Sequence, residues 1–520
     1  MYLQKFISIS LVLLTILFSL NSFSQETEVV QSTPEFNYSS TSLHKIIGHD
    51  SDNYYVLKYY SNQYHLEKLD KDLNLLLEEP IILFEGLKSY DFETVVHFHN
   101  ELYVFASKLR FNNITLYYQK IDKSNLQAAT ELIELTTLKF IKGNWADFHF
   151  ALSQRETKLM VACRTKVQWS KVQFNEYYVL GKNMELIWKR NDSFEYSGQG
   201  PRDNKYNVDE QGNISILSLL RDESIFSLFS DVKNVYTIYR YTDNGSYFQE
   251  YPITIKDKYI RGIKIFGNDQ GELVCAGLYS ELFRAGVRGT FFFKILPGDG
   301  NIYYNYLNEF SDDLLEQLAE TKEPTIAKEE LIQYLMTDLV QRDNGKIFLV
   351  AEQLFEQTYE TYNNLIVTCY DTLGQVYWTR VIKKKQDFNI NSLTPLKIEP
   401  TDYRDYVIET GSLDMYLENY CSYALMAPLD ENDIYIFFNE DIRNLDNPNR
   451  YINFNRPRKS YIRGVRIDEY GNISDHPVIK WKKRALYPEP MRFYDTLGNT
   501  IVIPAFKGRK YNYYKITARF

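Results

Sequence analysis

Two histidines separated by one residue, His97 and His99 in VVHFHNEL, form the most metal-like pair in the chain. Alternate residues of a strand point to one face, so two imidazoles at this spacing can grip one transition metal. No third ligand stands near them, and His99-Asn100 abuts a turn signal, so no metal is expected. The stretch DKDLNLLLEE (70–79) begins like a calcium loop. It places Leu75 and Ile81 where such a loop needs glycine and glutamate, which rejects it. The four cysteines, Cys163, Cys275, Cys369 and Cys421, sit in apolar runs without a CxxC or a neighbouring histidine. They read first as small buried hydrophobes, although an oxidising compartment permits disulfides whose connectivity stays open. No HExxH, GxSxG, P-loop or sialidase-type box occurs, and no cofactor is expected. Acidic residues are plentiful, but spacing alone assigns no pair of them to glycosidase chemistry.

Polar residues that end or begin apolar strand text are the better candidates. Tyr279 follows VCAGL, Glu352 follows FLVA, and Asn439 follows YIFF, while Gln386 and Tyr423 open strands. These five are the nominated binding residues, against ordinary strand-end capping as the plain alternative. Two basic clusters, Arg456 to Arg466 and Lys480 to Arg484, read as a solvated face, or as a contact for an anionic glycan or lipid head group.

What must position these residues is a set of short strands. Turn signals recur as DEQGN (209–213), DNG (243–245), DQG (269–271), GDGN (298–301), DNG (343–345), DTLGQ (371–375), DEYGN (468–472) and DTLGN (495–499). The acidic or amide side chain bonds the backbone ahead of it and glycine supplies positive φ, so these are hairpins. The flanking text is β-branched and aromatic, as in ELVCAGLY and KIFLVAEQ. Inner-hairpin glycines Gly212 and Gly271 are 59 residues apart, and outer-hairpin glycines Gly245 and Gly300 are 55 apart. A strand-only period of that size predicts an all-β fold, a β-propeller of seven to eight four-stranded blades, with eight favoured. The units begin near His44, Phe92, Phe148, Tyr206, Ile263, Leu339, Tyr423 and Met491. The last has room for three strands, and TEVVQ (27–31) is expected to supply the fourth and so remove free edges. The repeated pentapeptide YDTLG (370–374 and 494–498) then falls in an outer hairpin once and an inner hairpin once, so its copies share turn chemistry rather than a site. A helical insertion is expected at about 311–339. Ser311 would cap a first helix with the stripe Leu314, Leu315 and Leu318. Thr325 would cap a second with Leu331, Ile332 and Leu335.

The runs GELVCAGLYSELFRAGVRGTFFFKI, TDLVQRDNGKIFLVAEQLFEQTYETYNNLIVTCYDTLGQVYWTRVIKKKQ and CSYALMAPLDENDIYIFFNED together resemble a group of uncharacterised exported proteins of Bacteroidota with a propeller-like pattern. The resemblance covers roughly residues 260–480. It implies a fold and an export address, and no reaction. Asp371, Gly374 and Trp378 are also similar to a quinoprotein-type propeller repeat, but one unit alone has the tryptophan, so no cofactor site is carried over. Asp-Thr-Leu further resembles an O-glycosylation acceptor of that phylum, at Thr372 or Thr496.

The address itself is written at the N-terminus, MYLQKFISISLVLLTILFSLNSFSQ. Lys5, a short apolar core and Ser22-Phe23-Ser24 form a signal peptide over 1–24, with cleavage before Gln25. Residues 25–520 are then one propeller domain, periplasmic, cell-surface or extracellular, without a later membrane span and expected as a monomer. Loss of Lys5 moves the net charge from −9 to −10, a poor match to nucleic acid. The 44 Tyr and 32 Phe mark a folded rather than disordered chain. The leading expectation is a non-enzymatic propeller that binds a protein partner or glycan. The alternative is a carbohydrate-active hydrolase or lyase with channel-mouth carboxylates such as Glu352. An outer-membrane barrel, prompted by Phe520 and the abundant Tyr, fits poorly because the inner strands are apolar on both faces.

Overall fold

A computed structural model describes residues 27–31, 36–37 and 43–518. Outside the described residues lie 140–144, 167–171, 196–202, 222–233, 282–285, 298–300, 320–324, 327–329, 390–420, 446–451, 455–458, 481–485 and a few single or paired positions. The chain forms eight antiparallel sheets arranged as propeller blades. Blade 1 comprises Leu43–His49, Asn53–Tyr60, Gln63–Asp70 and Leu75–Pro80. Blade 2 spans Asp91–Phe98 to Ile133–Lys139, blade 3 Trp145–Leu152 to Leu186–Glu195, and blade 4 Asp203–Val208 to Tyr247–Ile253. Blade 5 runs from Tyr259–Gly267 to Ile302–Glu309, blade 6 from Tyr334–Gln341 to Val376–Ile382, and blade 7 from Ala424–Met426 to Ile473–Lys480. In each the first strand is innermost, and first strands of neighbouring blades approach one another, as Leu43–His49 does Asp91–Phe98. Blade 8 is built from both ends of the chain. Its strands Thr500–Lys507 and Lys510–Ala518 are completed by Thr27–Gln31, with Thr27 opposite Ala518 and Val29 opposite Ile516. The expected closure is therefore present.

A four-stranded sheet has two apolar faces, and the ring exists because each face needs a partner. In Leu273–Ser280 every residue is buried. Val274, Ala276 and Leu278 pack toward blade 6, while Leu273, Cys275 and Tyr279 pack toward blade 4. Eight such interlayers occur, one at each seam, including Val56 and Leu69 against Val502 and Tyr513 where blade 1 meets blade 8. The thiols of Cys163, Cys275 and Cys369 are free and buried inside strands, and Cys421 is buried just before one.

The predicted turns sit where the repeat requires. Gly212, Gly271 and Gly345 follow first strands, and Gly245, Gly374 and Gly471 follow third strands, all with positive φ. In the DxxG turns the leading side chain accepts two backbone N–H groups. Asp371 takes those of Leu373 and Gln375, each at 2.9 Å. Asp70 does the same with Asp72 and Asn74, so the discarded calcium-like stretch is one more such turn, with Leu73 at φ 65° in place of glycine. The two YDTLG copies differ as expected, since Gly374 lies in an outer hairpin and Gly498, without positive φ, in an inner one. Gly300 and the signal segment fall outside the described residues.

The insertion after blade 5 is smaller than the sequence pattern suggests. Its first helix is present as Asp312–Ala319, capped by Ser311 Oγ on the Leu314 amide at 3.3 Å, with Leu314 and Leu318 buried on blades 5 and 6. The second helix is not formed. Glu330–Leu331 is a short strand, and Tyr334–Gln341 is the inner strand of blade 6. Leu331 exchanges two backbone bonds with the buried Val287, at 2.7 and 3.0 Å, and Glu330–Leu331 pairs with Thr325–Ile326, so backbone pairing overrides the local helical pattern. The pairing of His97 and His99 on one face also fails. The strand ends at Phe98, and His99 turns away at φ 49°.

Candidate functional site

Three of the five nominated residues meet, and they meet inside the protein. Glu352 is on the second strand of blade 6 and faces blade 7, because its neighbours two and four residues back, Val350 and Phe348, do so. Its carboxylate accepts from Lys384 Nζ and, at 2.7 Å, from Ser422 Oγ. Lys384 Nζ also donates to Gln386 Oε1 at 2.9 Å, and Gln386 Nε2 donates to the Asn439 carbonyl at 2.8 Å. Asn439 Nδ2 reaches on to the Pro488 carbonyl in blade 8 at 2.9 Å. Glu352, Lys384, Gln386, Ser422 and Asn439 are all at most 3% exposed. This is a buried polar seam joining blades 6, 7 and 8, in which a buried ammonium holds the Glu352 carboxylate.

The other two nominees lie elsewhere. The Tyr423 hydroxyl bonds Thr337 and Asp338 on the inner strand of blade 6. Tyr279 faces blade 4, on the opposite side of its sheet from blade 6. Lys384 and Ser422, which complete the network, carried only the weak signals of a basic run and a residue before a strand. Of the basic clusters, Lys482 and Lys483 lie outside the described residues, whereas Arg463 and Arg466 pair with Asp475 at 2.7 Å and Asp433 at 2.6 Å.

A different group of side chains gathers at the opposite end of the ring, where inner strands turn into second strands. His49 ends the inner strand of blade 1, His97 stands one residue from the end of that of blade 2, Glu156 is in the turn after that of blade 3, and Tyr494 is on that of blade 8. Inner strands encircle the propeller axis, so these turn-side ends form one mouth of the central channel. His49 Nδ1 and the Tyr494 hydroxyl are 3.0 Å apart, and His97 Nδ1 lies 3.4 Å from Glu156 Oε2. His97 is buried and stacked on Tyr55 at 5.9 Å; its Nδ1 faces Glu156, and among the described residues its Nε2 has no hydrogen-bond partner. Its fit is tight, since a Cβ on Gly48 would come within 2.3 Å of it. His49, Glu156 and Tyr494 are half-buried. Burial holds His49 below its ordinary value, against the opposing pull of Glu156, and so favours its neutral form. Next to them Asp50 pairs with Lys123 at 2.6 Å and accepts from the Tyr55 hydroxyl at 2.8 Å. His99, meanwhile, donates through Nε2 to the Thr157 carbonyl at 2.9 Å.

This mouth offers two imidazoles, a phenol and a carboxylate to a polar molecule. Among the described residues no group of three or more His, Cys, Asp or Glu is arranged to hold a metal ion. Farther round the same face Glu431 is raised to about 7, chiefly by burial and also by Asp433, and accepts from the Tyr435 hydroxyl at 3.3 Å.

No protein-family model matches the chain, and no curated protein matches it. Solved structures are similar in fold. An uncharacterised protein of Listeria monocytogenes EGD-e aligns at 9% identity over 80% of this chain and 90% of its own, with a TM-score of 0.37. A structure from a study of two prolyl endopeptidases aligns at 8% identity over 91% of this chain, which spans 55% of that protein's length, with a TM-score of 0.40. An α-L-arabinofuranosidase of Fusarium graminearum aligns at 9% identity over 63% of this chain and 92% of its own, with a TM-score of 0.31. Likeness at this level carries no argument about function.

Proposed function

We propose that this chain is an exported, non-catalytic β-propeller that binds a protein partner or glycan at the cell surface or in the periplasm, and that the ligand enters the turn-side mouth of the channel. One observation carries the reading: His97 is buried with its Nδ1 facing Glu156 and, among the described residues, no partner for its Nε2, beside the half-exposed Glu156, His49 and Tyr494. A buried polar atom left unpaired costs about 1–3 kcal/mol, which a ligand bringing hydroxyl or amide groups would offset. Export rests on the leader sequence. A glycan array and a pull-down with the mature chain test the reading, alongside His97→Phe and Glu156→Gln. Loss of the captured ligand in both variants, with unchanged circular dichroism, is expected. Retention of every ligand by both variants would overturn the assignment to this mouth.

A carbohydrate-active hydrolase or lyase at the same mouth is the second reading. It is favoured by the His49–Tyr494 contact at 3.0 Å, a pair able to pass a proton. Release of new chain ends from the bound glycan, absent in His49→Ala, separates it from pure binding.

A further inference from the structure

We infer that the outer rim of blades 5 to 7, on the turn face, is a second binding site: a tyrosine platform that takes an extended, uncharged polysaccharide chain. This site is distinct from the channel mouth and does not depend on it.

The platform begins with a break in the outermost strand of blade 5. Phe292 is opposite Tyr306 and Lys294 is opposite Tyr303, so Tyr304 and Asn305 together face the single residue Phe293. This is a β-bulge, and Tyr304 sits in it at φ 55°. Among the described residues, every other non-glycine with positive φ lies in a turn, bend or 3-10 segment rather than inside a strand. The left-handed region is unfavourable for a bulky side chain, and such strain gathers at functional surfaces. Its effect is on direction. Consecutive strand residues point to opposite faces, yet the rings of Tyr303 and Tyr304 lie 6.4 Å apart at 49° and both are exposed.

The surface continues across two seams. Gln375 Nε2 contacts the Tyr306 hydroxyl at 3.5 Å, which joins blade 5 to the outer turn of blade 6 and its exposed Leu373 and Tyr377. Lys346 Nζ then lies 4.4 Å from the ring centre of Tyr377 and 5.4 Å from that of Tyr470 in blade 7. One cation therefore props two exposed rings, which fixes them before any ligand arrives. That cation is itself matched by Glu469, at 3.4 Å from the carboxylate and 3.1 Å from the backbone carbonyl. Asp371 and Asp468 spend their carboxylates on turn amides. What remains is aromatic and rich in hydroxyl groups, and its carboxylates Asp371, Asp468 and Glu469 outnumber its cations Lys346 and Arg380, so it carries no excess positive charge. An anionic polymer would need unmatched cations, and a lipid surface would need a contiguous aliphatic face with basic flanks. Pre-set tyrosines, with an apolar face and a polar edge, suit the C–H faces and hydroxyl edges of neutral sugars.

The test is affinity electrophoresis and pull-down of the full mature protein with xylan, mannan and a β-glucan as neutral probes, and alginate as an anionic control. Retardation by at least one neutral polysaccharide is expected. Tyr377→Ala/Tyr470→Ala and Tyr303→Ala should each weaken it at least tenfold, and Tyr247→Ala, at an exposed tyrosine on the outer strand of blade 4, should not. Tyr304→Gly is the decisive variant, because glycine relieves the strained backbone: thermal stability should rise while binding falls. Binding unchanged in these variants, retention of alginate alone, or no retention of any polysaccharide would each overturn the proposal.

Discussion

Thr27 lies opposite Ala518 in one antiparallel ladder, so the first described strand of the chain completes its last blade. Blade 8 otherwise begins with an inner strand broken into Tyr487–Pro488 and Tyr494–Asp495, and it depends on this partner for its outer edge. A chain that starts after Gln31 should lose the five-residue ladder and roughly 4–6 kcal/mol, at about 1 kcal/mol per backbone bond with two bonds in every second pair. Its melting temperature, measured against the chain starting at Gln25, checks this. Equal melting would mean that the closure strand adds nothing.

The buried pair Lys384 and Glu352 should behave as an interior ion pair, with side chains 0% and 4% exposed. Removing one partner, as in Lys384→Met, leaves an uncompensated charge and should cost about 3–5 kcal/mol. The double variant Lys384→Met/Glu352→Leu should cost clearly less than the two single changes added. Denaturant unfolding of the four proteins measures the coupling.

His97 offers a contrary case. Replacing it by Phe keeps the ring stacked against Tyr55 and removes a buried Nε2 that has no partner among the described residues, with loss of the Nδ1 contact to Glu156. Stability should hold or rise, by up to about 2 kcal/mol. Gly48→Ala should act oppositely, since its Cβ would press on His97 at 2.3 Å, with a loss of about 1–3 kcal/mol. A destabilised His97→Phe would show that the imidazole is held by contacts other than these.

Glu431 makes stability depend on pH. Burial raises its pKa from the ordinary 4.5 to about 7. Below about pH 4.5 it is protonated in both states. Between there and pH 7 the unfolded chain ionises first while the folded chain keeps its proton, so stability falls as pH rises across that window. Glu431→Gln should remove this part of the slope, and melting curves of both proteins at pH 4.5, 6 and 8 would read it. Parallel profiles would refute it.

The fold was legible because its signals are local. Asp209, Asn268, Asp371 and Asp468 each build their turn from side chains within four residues. The segment after Thr325 was misread because KEELIQYLM has a good helical pattern, and pairing with Val287, distant in sequence, makes it strand. Among the nominated residues, alternation along the strand placed Glu352 toward blade 7 and Tyr279 toward blade 4, so one could join the buried network and the other could not. His49, Glu156 and Tyr494 gave no sequence signal together, since His49 and Tyr494 are 445 residues apart.

The sequence by itself determined the repeat, the hairpin positions and the strand that closes the ring, because each depends on short-range backbone chemistry and on apolar text that demands burial. Only the tertiary structure decided which polar groups meet. Those encounters occur across seams between blades and around the axis, so they depend on the direction each strand face takes and on first and last blades touching, and neither is written in any local stretch of residues.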